Sequence, residues 1–123
     1  MNRLMKAEQA LVSAQRCLNE GDTDSCASRA YFGVYHALVG YFQTQNFKKA
    51  GEWNHETIHS RFVAEFVHRK KSFLADMDDL IRSVYVKRNL ADYNDKSVLK
   101  KEAERSLNKA MEVVKRIKEA MTQ

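Results

Sequence analysis

The sequence predicts an all-α protein formed by a single domain over residues 1–123. It contains no proline and only four glycines, so few positions force a helix to end. No β-branched run between turn-forming clusters predicts a strand. Apolar residues also recur at helical spacing along most of the chain, which favours a bundle of amphipathic helices.

Residues 25–43 are predicted to form the central helix. Apolar side chains cover most of its circumference, and a helix of this kind is buried among its neighbours. The remaining narrow strip consists of Arg29, Gly33, His36, Gly40 and Gln43. Because each internal glycine weakens a helix by roughly 1 kcal/mol relative to alanine, we expect another backbone or a ligand to approach this strip closely.

The first helix is predicted over residues 2–19, before a left-handed turn at Gly21. The candidates for the N-cap of the central helix are Asp22, Thr23 and Asp24. The segment 47–54 is expected to be a loop that follows the central helix.

Three further helices follow this loop. The third is predicted over residues 55–70, with Asn54 as its N-cap. The fourth is expected over residues 72–92, and the fifth from a cap at Ser97 to the C-terminus.

Arg88 interrupts the apolar stripe predicted for the fourth helix. A buried guanidinium without a partner is costly, and Asp92 one turn later is the nearest carboxylate. Local helix energetics do not favour this pair, because a carboxylate near the C-terminus opposes the helix dipole. With the phenol of Tyr93, Arg88 and Asp92 form the best candidate site, and the alternative is a structural ion pair capped by a tyrosine.

Arg29 and His36 form a second candidate pair, seven residues apart on one face of the central helix. An arginine that binds phosphate beside an acid/base histidine is a pairing found in metal-free RNA cleavage. The alternative, favoured on spacing alone, is a half-buried polar face without a catalytic role. If the first interpretation holds, this strip and Arg88 should line one cleft, with the glycines allowing the fourth helix or a second subunit to approach.

His55, Glu56 and His59 match the HExxH pattern of zinc hydrolases. A catalytic zinc needs a third protein ligand, and neither Glu65 nor His68 stands at the usual spacing. A chance match is therefore favoured over the remote alternative of a zinc hydrolase. We expect no metal and no cofactor.

The net charge of +5 is concentrated late in the chain, where residues 96–118 hold eight Lys or Arg against three Glu. A solvated face is favoured over a nucleic-acid surface, because aromatic residues are not interleaved with these charges. No apolar window reaches the roughly 18 residues of a membrane span, and the N-terminus lacks the core of a signal peptide. A cytoplasmic protein without membrane contact is expected, with Cys17 and Cys26 as reduced core residues.

Several of these features together resemble the HEPN family of small helical domains. They are the Gly21-Asp22 turn, the segments 28–32 and 35–37, His55 with the apolar line after it, and Arg88-xxx-Asp92-Tyr93. The resemblance is to the branch with an R-x-x-A-D-Y signature. It implies an up-and-down four-helix bundle with an additional fifth helix, usually a homodimer. It also implies frequent association with a small nucleotidyltransferase, often as a toxin–antitoxin module.

Active members of the family resemble one another in an Arg-x(4–6)-His motif used for metal-independent RNA cleavage. Arg88 and Asn89 match the start of this motif, but the positions where its histidine could fall are occupied by Tyr93, Asn94 and Asp95. An aspartate, with an ordinary pKa of about 3.9, does not simply replace imidazole as a proton carrier near neutral pH. The motif is therefore degenerate.

Two interpretations remain open. In the first, the chain is a non-catalytic module that binds RNA, a nucleotide or a partner nucleotidyltransferase. In the alternative, it is an active, metal-independent RNase toxin. The residues that would serve that activity are Arg88, Asp92 and Tyr93, joined by Arg29, His36 or His55.

Overall fold

The computed structural model describes residues 2–45 and 55–122, with side chains in the second range from Thr57 onward. These ranges contain helices and no strand, which confirms the all-α prediction. The helices are α1 (Arg3–Asn19), α2 (Thr23–Thr44), α3 (His55–Phe62), α4 (Asp76–Tyr93) and α5 (Lys100–Met121), and α3 continues into a π-helical segment, Val63–Arg69. None of these helices is both long and apolar enough to cross a membrane.

Helix α2 is the centre of the bundle, as its apolar circumference predicts. It packs against α1, α3, α4 and α5, and its most extensive contact is with α1. Several of its large side chains, including Tyr31, Leu38 and Phe42, are fully buried, whereas Phe32 is 36% exposed. The prediction of a buried central helix is therefore confirmed.

The turn between α1 and α2 also agrees with the sequence. Gly21 has a φ of +82°, the left-handed conformation predicted for it. Asp22 is the N-cap of α2, and its side chain accepts a hydrogen bond from the Ser25 amide at 3.2 Å. Hydrogen bonds from Ser25 hold the pKa of the Asp22 carboxyl below its ordinary value.

The glycines of α2 face α1, so the expected approach of α4 to this strip is wrong. A Cβ atom built on Gly33 would lie 2.7 Å from Cδ2 of Leu11 and 3.3 Å from the carbonyl oxygen of Ala7. One built on Gly40 would lie 3.1 Å from Cβ of Arg3. The glycines thus allow a close approach, as expected, but the neighbour they admit is the first helix.

Helix α4 begins at Asp76, four residues later than predicted. The amides of Ser72 and Phe73 both donate to the carbonyl of Phe66, at 2.8 and 3.3 Å, so Ser72 closes a corner instead of capping a helix. Lys71 adopts a left-handed φ of +53° in the same corner. The ring of Phe73 then packs edge-to-face on Tyr41, with centroids 5.1 Å apart.

Helix α5 begins at Lys100, with Leu99 as its N-cap residue, so the predicted cap at Ser97 is wrong. The reason is a tertiary hydrogen bond: the Val98 amide donates to Oδ1 of Asp24 on α2 at 2.8 Å. This bond keeps the chain extended before the helix starts. Asn54, the predicted cap of α3, lies outside the described residues together with the loop before it.

The basic residues of α5 include several that pair with neighbouring helices. Arg116 binds both carboxylate oxygens of Asp76 on α4, at 2.7 and 3.0 Å. A second ion pair has its cation on α4 and its carboxylate on α5, between Lys87 and Glu102. These contacts hold α5 against α4 and account for part of the charge that the sequence concentrates there.

Candidate functional site

Arg88 occupies the apolar stripe of α4, where the sequence placed it. The stripe residues before it, Met77, Ile81 and Val84, are buried, and the Arg88 side chain is only 18% exposed. Its guanidinium carbon lies 5.5 Å from the ring centroid of Tyr31 on α2. It also lies 5.9 Å from the ring of Tyr93 at the end of α4. Both distances are within the range of cation–π contact.

The Arg88–Asp92 ion pair predicted from the sequence is present. Nε of Arg88 lies 2.9 Å from Oδ2 of Asp92. The buried Nε–H nevertheless has no well-aligned acceptor among the described residues, so this contact is an ion pair more than a directed hydrogen bond. Nη1 donates to Oδ1 of Asn89 at 3.3 Å. Because a guanidinium carries five N–H donors, Arg88 retains hydrogen-bonding capacity for an anion.

A histidine from α3 reaches this site through Tyr31. The Tyr31 hydroxyl lies 2.9 Å from Nε2 of His59. Burial raises the pKa of Tyr31 well above its ordinary value, although the positive charge of Arg88 opposes the shift, so the phenol is neutral at physiological pH. A neutral hydroxyl can both donate and accept a hydrogen bond.

Tyr85 completes an aromatic cluster with Tyr31 and His59. Its ring centroid lies 5.4 Å from that of Tyr31 and 4.6 Å from that of His59. The cluster joins α2, α3 and α4 beside Arg88. Sequence reasoning missed its role, although a buried tyrosine in the central helix already requires a hydrogen-bond partner from another element.

Arg29 and His36 face a different part of the bundle. Nδ1 of His36 lies 2.9 Å from Nη1 of Arg3 on α1. Since arginine can only donate, this ring nitrogen accepts and carries no proton. His36 follows Tyr31 by five residues, roughly 140° further around α2. Helix α2 therefore directs Tyr31 towards α4 and His36 towards α1. Within one chain, His36 and Arg88 do not line a common cleft, contrary to the expectation from the sequence.

Arg29 is exposed near the start of α2. Its charge contributes to the lowered pKa of the Asp22 carboxyl at the N-cap. This electrostatic contact associates Arg29 with the α1–α2 turn.

The HExxH residues are only partly visible. The side chains of His55 and Glu56 lie outside the described residues. His59, the third of the set, directs Nε2 to the Tyr31 hydroxyl. Among the described side chains, no three carboxylate, imidazole or thiol groups are arranged to hold a metal ion.

A cleft of about 350 Å³ opens beside the aromatic cluster, between the α3 end of the bundle and α4. The π-helical segment forms one wall, and in its wide turn the Lys70 amide donates to the Glu65 carbonyl at 2.9 Å, five residues back. His59 and Tyr85 belong to both the cluster and the cleft. The remaining lining residues are Ser60, Val63, Ala64, His68, Asp78, Ile81 and Arg82.

The family model of the HEPN domain matches residues 1–120, which is nearly the whole chain. A comparison with curated proteins gives no significant match. The matched range includes all the helices that hold Arg88, the aromatic cluster and the cleft. The agreement of this match with the all-α bundle and with the Arg88-xxx-Asp92-Tyr93 segment identifies the chain as a member of the HEPN domain family.

Proposed function

We propose that this HEPN domain binds RNA or a nucleotide, with Arg88 as the residue that contacts phosphate. The observation that carries the proposal is a guanidinium held in an apolar stripe, 18% exposed and bordered by two tyrosine rings. Low local dielectric strengthens an interaction between such a group and an anion. Arginine also matches phosphate geometrically, because its donors form a planar fork.

Asp92 and Tyr93 have distinct parts in this proposal. The Asp92 carboxylate neutralises Arg88 when no ligand is bound, and its side chain is 32% exposed, so it can turn to solvent when a phosphate replaces it. Tyr93 is 77% exposed and offers a ring face on which a base can stack. The cation, its counter-ion and the stacking ring thus stand within one and a half turns of α4.

The proposal is tested by fluorescence polarisation with a labelled single-stranded RNA. We expect Arg88→Gln to weaken binding roughly tenfold or more, because a hydrogen bond to a charged group contributes about 1.5–3 kcal/mol. The matched control is Arg105→Gln, which removes an exposed cation from α5 and should change affinity little. Equal affinities for the Arg88→Gln and wild-type proteins would contradict the assignment.

A second candidate function, metal-independent RNA cleavage, is favoured by the contact of His59 with Tyr31 beside Arg88. His59 brings to this site an imidazole that the sequence after Arg88 lacks. Incubating the same RNA with EDTA tests this function. Cleavage by the wild type that is lost in both Arg88→Gln and His59→Gln would support this function. If the wild type binds the RNA but leaves it intact, the domain binds RNA without cleaving it.

For partners, we propose a homodimer or a complex with a small nucleotidyltransferase, as in a toxin–antitoxin pair. The support is an exposed apolar stripe on α4 formed by Val86 and Leu90, which are 46% and 38% exposed. These residues lie at helical spacing next to the Arg88 site. A contiguous exposed stripe of this kind is typical of an interaction surface.

The homodimer is tested by light scattering, which should give about twice the chain mass of 14.3 kDa. Val86→Glu should shift the protein to the monomer, because it places a charge in the stripe. Val12→Glu on α1 is the matched control, since Val12 is 55% exposed and lies on another helix. A monomeric wild type would exclude the homodimer and direct the search to the nucleotidyltransferase.

A further inference from the structure

We infer that the cleft between the π-helical segment and α4 holds a nucleobase, while Arg82 and Arg88 contact the phosphates on either side of it. This inference rests on the proposed function and adds to it the place and the chemistry of base binding. It assigns a role to His59, Tyr85 and Arg82, of which only His59 belongs to a motif visible in the sequence.

In its size and its apolar wall, the cleft suits a small ring system. Its volume of about 350 Å³ lies at the small end of the range for ligand pockets, roughly 300–1,000 Å³. Val63, Ala64 and Ile81 supply an apolar wall. A site of this size accepts a base with its sugar and is too small for a helix or an extended peptide.

The chemistry of the lining fits a base better than a purely apolar ligand. The rings of His59 and Tyr85 pack edge-to-face at 76°, and both residues line the cleft. Aromatic faces stack on bases of any sequence. Ser60 and His68 add polar groups that can bond to the edge of a base.

The two arginines stand one turn of α4 before and after Tyr85. Six residues separate Arg82 from Arg88, which corresponds to roughly 9 Å along the helix axis. Nη2 of Arg82 contacts both carboxylate oxygens of Asp78, at 3.0 and 3.1 Å, and its side chain is 66% exposed. Asp78 thus orients Arg82 at the rim of the cleft while leaving its other donors accessible.

Along the axis of α4, Tyr85 therefore lies between two cations. Arg82 lines the cleft, and Arg88 lies beyond its lining, over the ring of Tyr31. An internal nucleotide of a single strand can use both arginines, since it carries a phosphate at each end. A free mononucleotide can use only one of them. The cleft can hold the base of either ligand. A comparison of the affinities for a single strand and for a free mononucleotide shows which of them the protein prefers.

The experiment compares two probes, adenosine monophosphate and a labelled single-stranded oligoadenylate, on the full chain. Ala64→Phe fills the cleft from an exposed position, so the core loses no contact. We expect this variant to bind each probe with an affinity roughly tenfold lower or more, where each factor of ten corresponds to about 1.4 kcal/mol. Arg82→Gln should lower the affinity for the oligonucleotide more than the affinity for the monophosphate. It should also reduce the slope of log affinity for the oligonucleotide against log salt concentration by about one.

Val12→Phe on α1 is the control for the added ring, and it should bind both probes as the wild type does. Thermal melting of each variant shows whether it is folded before its affinity is read. If Ala64→Phe binds both probes normally while Arg88→Gln does not, the base lies elsewhere and the phosphate assignment stands. If the wild type binds neither probe, the proposed function itself fails, and the inference fails with it.

Discussion

The Arg88→Met protein is expected to melt at the same temperature as the wild type or higher, and to lose affinity for RNA roughly tenfold or more. Methionine continues the apolar stripe formed by Met77, Ile81 and Val84, all of which are buried. Replacing both members of a buried ion pair with apolar side chains is often neutral or stabilising, whereas removing one member is costly when the other charge stays buried. Asp92 tolerates the loss of its partner, because its side chain is 32% exposed and can be hydrated.

This substitution separates a functional arginine from a structural one. Arg88→Ala is the necessary comparison, since it removes the half-buried aliphatic stem together with the guanidinium that lies over the Tyr31 ring. We expect Ala to lower the melting temperature and Met not to lower it, with RNA affinity lost in both. A Met variant that melts as low as the Ala variant would show that Arg88 serves the fold, and RNA binding would then need another cation.

The Phe66→Ala protein is expected to lose about 3–5 kcal/mol of unfolding free energy, measured by urea denaturation. Phe66 is fully buried in the π-helical segment. Its ring contacts those of Tyr41, Phe42 and Phe62, with centroids 4.8, 5.1 and 5.4 Å away. Truncating it leaves a cavity at the point where α2 meets the wall of the cleft.

A loss of this size is a large share of the total for a domain of this length, since typical domains are stabilised by about 5–15 kcal/mol. Leu74→Ala is the matched control, because Leu74 lies in the following corner and is 72% exposed. It should change the unfolding free energy by less than about 0.5 kcal/mol. Similar unfolding free energies for the two variants would contradict the prediction, because the buried Phe66 ring would then stabilise the fold no more than an exposed leucine does.

The helices and the position of Arg88 could be predicted because both depend on local patterns. Residues 25–43 are apolar around most of the helix, so burial followed from composition and period alone. Gly21 and Asp22 form a turn whose chemistry lies within a few residues. Arg88 was identified because one cation breaks an otherwise apolar stripe, and its partner Asp92 lies one turn away in the same helix.

The starts of α4 and α5 were predicted wrongly for the same reason in both cases. Ser72 and Ser97 are suitable caps in isolation, but the Ser72 amide bonds to the Phe66 carbonyl six residues back, and the Val98 amide bonds to Asp24 on α2. An acceptor outside the first turn of the helix that satisfies these amides removes the need for a local cap. Such competition is not visible in a short window of sequence.

By itself, the sequence determined the order of the helices, the buried face of the central helix, and that Arg88 with Asp92 is unusual. The tertiary structure alone decided which helix each face meets. Periodicity specifies a direction around a helix axis but not the neighbour found there. Thus the glycine strip admits α1, His36 meets Arg3, and His59 reaches Arg88 through Tyr31, because the packing of four helices sets contacts between residues 22 or more positions apart.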